Sequence, residues 1–167
     1  VGLIFSWMNE ENSEVGSVRL TPPEGISPVA FIPDFELRTA AARAALPATV
    51  PHGDASFNVA RGALLAAVLS GNAQASGGAD LHSLLMEATR DRLHQEQRRA
   101  AMEPSFALVD WLRGAGFAAV VSGAGPTVLS LESVGADIRR DAAAAGWRVV
   151  PMGVAPQGVQ ITRGSLS

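Results

Sequence analysis

The sequence contains no cysteine and no lysine. The first absence excludes disulfides, thiol nucleophiles and cysteine-based zinc clusters. The second excludes a P-loop lysine, a Schiff-base lysine and a lysine general base, because all thirteen basic residues are arginines. A basic surplus is missing as well. With a formal net charge of −3 and a sequence pI of about 5.6, no electrostatic argument for nucleic acid exists. The three histidines, His52, His82 and His94, fit no local metal-ligand spacing, and no metal site is expected from them. The opening run "VGLIFSWMNE" lacks the basic start of a signal peptide and turns acidic too soon for a membrane helix, so no membrane partner is expected.

What is present suits one compact domain: 167 residues, 47% hydrophobic and 17% charged, can bury a proper core. The alternating start reads as a strand entered in mid-course, which raises the expectation of a longer chain, and with no export or membrane signal read in the sequence the expected location is the cytoplasm. Val1 to Met8 and Val15 to Leu20 are expected to pair as a hairpin across "NEENSE", and Val29 to Ile32 forms a short strand. Asp34 is placed to cap a helix running to Leu46, stopped by Pro47. A second helix is expected over Ala55–Leu69, capped by Asp54, with Phe57, Leu64, Leu65 and Val68 as its buried stripe. "NAQASGGAD" is a surface loop. Leu81, Leu84, Leu85 and Ala88 follow helical spacing and lead into the charged "RDRLHQEQRR". Pro104 suits the first turn of a helix carrying Leu108, Trp111 and Leu112. Strands over Phe117–Val121 and Thr127–Leu131, a helix over Val134–Ala145 and a strand over Trp147–Met152 complete the order. That order predicts an α+β fold, a ferredoxin-like split βαβ sandwich with inserted helices and the helices on one side of the sheet.

Three groups of residues invite a chemical reading. Thr39 and Arg43 stand four apart and share one helix face, with alanines keeping it shallow. Asp91, Arg92, His94, Arg98 and Arg99 form a charged cluster, which is either a solvated helix surface or part of an anion site. Two arginines brought together from separate helices would clamp a carboxylate or phosphate through their planar forks. Between the last two central strands lies the loop Ser122-Gly123-Ala124-Gly125-Pro126. It is either a plain tight connection or an anion-binding concavity, since glycines free the backbone and leave no Cβ in a ligand's way. It is not a Walker loop: lysine is missing, and a strand follows where a helix should.

The segment "VVSGAGPTVLSL" resembles the C-terminal glycine-rich motif of the GHMP small-molecule kinases. Within them, "RTAAARAALP", "VPHGDASFNVARGALLAAVLSG" and "RDRLHQEQRRAAMEP" are similar, in order and interval, to successive C-terminal segments of the homoserine kinases, in the Ala- and Arg-rich form of high-GC, actinobacterial-type bacteria. The resemblance covers nearly the whole chain, and the "DRLHxxxR" segment gives it most of its specificity. It implies that residues 1–167 are one GHMP C-terminal domain, the first residues being the tail of an N-terminal domain. It also implies transfer of the γ-phosphate of ATP to the side-chain hydroxyl of L-homoserine, on the route to threonine. ATP and Mg2+ would be held mainly by that N-terminal domain, so this segment alone is expected to be inactive. Carried over by position, Arg43 and Arg98 fall on arginines for the substrate carboxylate, Thr39 on a threonine near the transferred phosphate, and Gly123 on a loop glycine beside substrate. Ser122, Gly123, Ala124 and Gly125 form the loop near the phosphates. No catalytic residue and no metal ligand fall in this segment, and Asp54 and Asn58 lie near the site without an assigned role. The implied partners are L-homoserine, ATP and the N-terminal domain, with a homodimer left open. Another GHMP kinase, or a non-catalytic amino-acid-binding ferredoxin-like module, would share part of this pattern.

Overall fold

The computed structural model of the chain describes residues 4–8, 11, 14–71, 73, 74 and 77–155. The expected strand start at Val1, most of the turn "NEENSE", and Asn72, Ala75 and Ser76 lie outside the described residues. The hairpin forms as expected: β1 (Ile4–Met8) and β2 (Val15–Arg19) pair antiparallel, Ile4 opposite Arg19 and Met8 opposite Val15. They make a two-stranded sheet of their own.

The remaining elements follow as β3 (Val29–Ile32), α1 (Thr39–Ala44), α2 (His52–Leu69), α3 (Leu81–Ala88) and α4 (Gln95–Arg98). A 3-10 turn (Arg99–Ala101), α5 (Glu103–Gly114), β4 (Ala119–Val121), β5 (Val128–Ser130), α6 (Ala136–Ala144) and β6 (Arg148–Pro151) complete the chain. Four strands form one sheet in the order β4-β5-β3-β6, each antiparallel to its neighbours. Phe31 faces Val128 across β3 and β5, and Ala30 faces Val150 across β3 and β6. The parallel strands β3 and β4 are therefore separated by β5, and β5 and β6 by β3. This is the doubly split βαβ arrangement expected of a ferredoxin-like sandwich.

Strand parity divides the core in two. Val29, Phe31, Ala119, Val121 and Val128 join Phe106, Val109 and Leu112 of α5 and Ala142 of α6 in one buried cluster. Phe31, Leu112 and Val128 are fully sequestered. Residues of the other parity, Ala118, Leu129 and Leu131, meet Val68 and Leu69 of α2 and Leu85 of α3 in a second cluster. Helices thus cover both faces, not one, because both parities of β4 and β5 carry apolar side chains that must leave water.

Three local expectations change. The first helix starts at Thr39, not beside Asp34, because Phe35 and Leu37, two residues apart, both pack onto the main cluster. Such spacing suits an extended segment, and Arg38 takes the cap position. The second helix begins at His52 behind Pro51, which puts Asp54 inside the first turn, where its charge favours the helix dipole. Charged "RDRLHQEQRR" does not continue α3. Asp91 accepts hydrogen bonds from the N–H groups of Leu93 (2.8 Å), His94 (3.1 Å) and Gln95 (2.8 Å), which folds the chain into a turn and starts α4.

Candidate substrate and glycine-loop site

The glycine loop connects β4 to β5 on the register Val121–Val128. Two internal bonds shape it: Ser122 N–H donates to Thr127 O (2.8 Å), and Gly125 N–H to Ser122 O (3.0 Å). Gly123 and Gly125 hold φ of +60° and +82°, a left-handed backbone that favours glycine. Their surroundings differ. A Cβ on Gly123 would meet nothing within 4 Å, whereas one on Gly125 would lie 2.5 Å from Met102 Sδ and 3.0 Å from Val121 Cγ1. Gly123 is therefore open outward and Gly125 is packed inward. The Gly125–Pro126 peptide is cis. Among the described residues, the N–H groups of Gly123 and Ala124 have no acceptor, and they form the polar lip of the loop.

Arg98, at the end of α4, links the helix of Thr39 and Arg43 to the glycine loop. Its Nε donates to Ala42 O of α1 (3.1 Å), and its Nη1 donates to Gly123 O (3.2 Å). The helix that carries Thr39 and Arg43 is thereby fastened to the glycine loop. Of the five N–H groups of the guanidinium, two are used in this way, which leaves one on Nη1 and both on Nη2 without an acceptor among the described residues. Arg43 and Thr39 are exposed on α1, and Arg43 makes no hydrogen bond or ion pair among the described residues. Arg99 faces elsewhere: it pairs with Glu96 (2.8 Å) and Asp110 (2.8 Å), which push its pKa up, and lies 5.0 Å from the Phe106 ring centre.

Beyond Arg98 the loop borders a cleft of about 420 Å³ between α2, the α3–α4 turn and β4. Leu65, Leu69, Val120 and Leu131 line its apolar side. Asn58, Arg61, Arg90, Asp91 and His94 line the polar side. Asn58 binds both sides of the turn, donating its amide to Asp91 and accepting the Arg92 N–H (2.8 Å). Asp54 pairs with Arg92 (3.3 Å). Both residues without an assigned role therefore fasten α2 to the α3–α4 turn. Burial raises the pKa of the Asp91 carboxyl, but the Asn58 amide and the Leu93 and Gln95 N–H groups outweigh it and hold the carboxyl below its usual range.

Sequence reasoning missed two features. Phe57, expected in the core stripe of α2, is instead sandwiched between the guanidinium groups of Arg61 (3.8 Å) and Arg92 (3.9 Å). The clue was a phenylalanine followed four residues later by an arginine on the same helix face. Half-buried Arg113 ties three elements together by donating to Thr89 Oγ1 (2.9 Å), Met86 O (2.8 Å) and Ala119 O (3.2 Å). Burial lowers its pKa. No local pattern marks it.

Comparison with known proteins gives this geometry a family. Residues 64–146 match the family described as GHMP kinases C terminal. A homoserine kinase of Streptomyces coelicolor is 41% identical over 161 residues, which is 96% of this chain and 48% of that protein. One from Corynebacterium efficiens is also 41% identical, over 92% of this chain and 49% of the relative. The chain spans about half the length of the curated relatives it matches. The crystal structure of homoserine kinase from Cytophaga hutchinsonii superposes on 84% of the chain and 45% of its own length, with a TM-score of 0.69 at 20% identity, and so shares the fold. Residues 64–146 of the chain thus belong to the GHMP kinases as their C-terminal domain, and the chain is similar to homoserine kinases along nearly all of its length.

Proposed function

We propose that this chain is the C-terminal, substrate-facing part of a cytoplasmic homoserine kinase, which phosphorylates the L-homoserine hydroxyl from ATP on the route to threonine. The observation that supports it best is the Arg98 bridge from Ala42 O to Gly123 O, which fastens the helix bearing Thr39 and Arg43 to the glycine loop. Arg43 and the remaining N–H groups of Arg98 hold the substrate carboxylate. That contact fixes the direction of the molecule and turns its hydroxyl toward the loop. The unpaired Gly123 and Ala124 N–H groups face anionic oxygen there, with Thr39 close by. Holding two partners in line supplies much of the rate in phosphoryl transfer.

ATP supplies the phosphoryl group when bound. The two open loop amides suit a phosphate oxygen, and we assign the rest of the nucleotide to a preceding N-terminal domain. Among the described residues no group of three His, Cys, Asp or Glu side chains could hold a metal ion, and Mg2+, which binds through one or two carboxylates and the nucleotide phosphates, is assigned with the nucleotide to that N-terminal domain. No helix among the described residues is long and apolar enough to cross a membrane.

The test is homoserine-dependent ATP turnover by the full-length polypeptide, with wild type compared to Arg98→Lys and with residues 1–167 assayed alone. Lysine keeps the charge and loses the fork, so kcat/KM for homoserine should fall about 10- to 100-fold. The isolated segment should show no turnover. Sustained turnover by the segment, or a fully active Arg98→Lys, would refute the proposal.

A further inference from the structure

Four residues of the segment around α4 and the start of α5 follow one another at intervals of three, four and three: Gln95, Arg98, Met102 and Ser105. That is the spacing of one helix face, preserved although the segment is broken by a 3-10 turn. Each contacts the glycine loop or the end of β4 that leads into it, and the contacts run in the same order along the chain. Gln95 Oε1 accepts the Val121 N–H (2.9 Å), at the end of β4. Arg98 Nη1 donates to Gly123 O (3.2 Å). Met102, only 1% exposed, fills the space beside Gly125 so tightly that a Cβ there would lie 2.5 Å from its sulfur. Ser105, fully buried, donates Oγ–H to Pro126 O (2.6 Å).

We propose that Gln95, Met102 and Ser105 are positioning residues that, with Arg98, cradle the glycine loop along its length and so aim the Gly123 and Ala124 N–H groups at the anion they receive. The inference rests on the reading that this loop faces the transferred phosphate. The physical argument is one of complete anchoring. The loop has two internal hydrogen bonds, between Ser122 and Thr127 and between Gly125 and Ser122, too few to fix five residues containing two glycines. The cradle supplies a hydrogen bond at each end, a third at Gly123 and a packed sulfur between them. It acts through the backbone, so the loop residues need no side chains of their own. This accounts for a loop of small residues held rigidly in place. It also makes Arg98 bifunctional, with two N–H groups holding α1 and the loop and three left for a carboxylate.

The structure contains its own control. Ser130, equally buried, also donates Oγ–H to a backbone carbonyl, Glu132 O at 2.8 Å, but at the far end of β5. Ser105→Ala and Ser130→Ala therefore each remove a buried Oγ–H bond to a backbone carbonyl, one in the cradle and one outside it, and Ser130→Ala also removes the acceptor of the Glu132 N–H (3.3 Å), which makes it the more severe change. Gln95→Met keeps the length of the side chain and loses the acceptor, while Gln95→Glu keeps an acceptor. Two measurements are made on the full-length polypeptide: amide hydrogen exchange at Ser122 and Gly125, and homoserine-dependent ATP turnover. In Gln95→Met and Ser105→Ala, exchange at both amides should quicken and kcat should fall by about 5- to 10-fold, the share of one hydrogen bond. KM for homoserine should stay within about twofold, because Arg43 still holds the carboxylate. Ser130→Ala should change neither, and Gln95→Glu should recover most of both. If Gln95→Met and Ser105→Ala exchange and turn over like Ser130→Ala, the cradle is ordinary packing and the proposal falls. A fully active Gly123→Val would instead overturn the reading of the site beneath it, while the exchange arm would still report on the cradle.

Discussion

Replacing Gly125 by alanine should destabilise the domain far more than replacing Gly123, although the two glycines stand two residues apart in one loop. Both hold positive φ, +82° and +60°, so each alanine bears a left-handed backbone cost of about 1–2 kcal/mol. For Gly123 that is the whole cost, because its Cβ would enter open space. At Gly125 the new Cβ would lie 2.5 Å from Met102 Sδ, 2.9 Å from its Cε and 3.0 Å from Val121 Cγ1. Met102 is flexible in principle, but at 1% exposure in the main cluster it has nowhere to move without displacing its neighbours. Overpacking of this kind adds about 1–3 kcal/mol, for a total of roughly 2–5 kcal/mol at Gly125. Urea unfolding of the full chain reads the difference. With a slope near 2 kcal/mol per molar, Gly125→Ala should lower the midpoint by about 1–2.5 M and Gly123→Ala by about 0.5–1 M. Equal shifts, or a larger one at Gly123, would refute the claim that the loop is packed at Gly125 and open at Gly123.

Asp91→Ala should cost about 1–2 kcal/mol at pH 7 by removing the acceptor that starts α4. Because the folded Asp91 carboxyl sits below its usual range, its contribution is fully present above the ordinary carboxylate pKa near 4 and is lost as pH falls through the folded value. The stability gap between wild type and Asp91→Ala should therefore close in acid; a gap unchanged at pH 2–3 would contradict this. Arg99→Ala should lose at most about 1 kcal/mol, since its partners Glu96 and Asp110 are largely exposed, and homoserine kinetics in the full-length polypeptide should stay near wild type. A loss of homoserine turnover there as large as that of Arg98→Lys would mean that Arg99, not Arg98, faces substrate.

Much of the fold was legible because its signals are local. The apolar runs on either side of Ser122-Gly123-Ala124-Gly125-Pro126 marked β4 and β5. Leu81, Leu84, Leu85 and Ala88 marked α3, and Pro104 marked the start of α5. What escaped depends on residues distant in sequence. The extended run of Phe35 and Leu37 before α1 is decided by the cluster they fill, so an aspartate that could cap a helix goes unused. The end of α3 is decided by Asp91, which bonds to Asn58 on another helix as well as to the N–H groups of its own turn. Phe57 could be placed on a helix face, but its stack against Arg92 needs a turn that the periodicity of α2 does not contain. The candidate site divides in the same way. Residue types and spacing marked the Thr39–Arg43 face, the charged cluster and the glycine loop, and the family resemblance selected Arg98 and Gly123 within them, but the bond from Arg98 to Ala42 spans 56 positions and exists only in the folded chain.

Arg43 tests the substrate assignment most directly, because it is exposed and makes no bond among the described residues that its removal could break. Arg98 lacks this advantage, since it also holds α1 and the loop. The decisive measurement is kcat/KM for L-homoserine in full-length Arg43→Ala and Arg43→Lys, with KM for ATP and the urea midpoint taken alongside. A charge-assisted bond to a carboxylate contributes about 1.5–3 kcal/mol, so both variants should lose roughly 10- to 100-fold, with ATP binding and stability unchanged. Wild-type homoserine kinetics in both variants would contradict the carboxylate clamp and the choice of homoserine that rests on it.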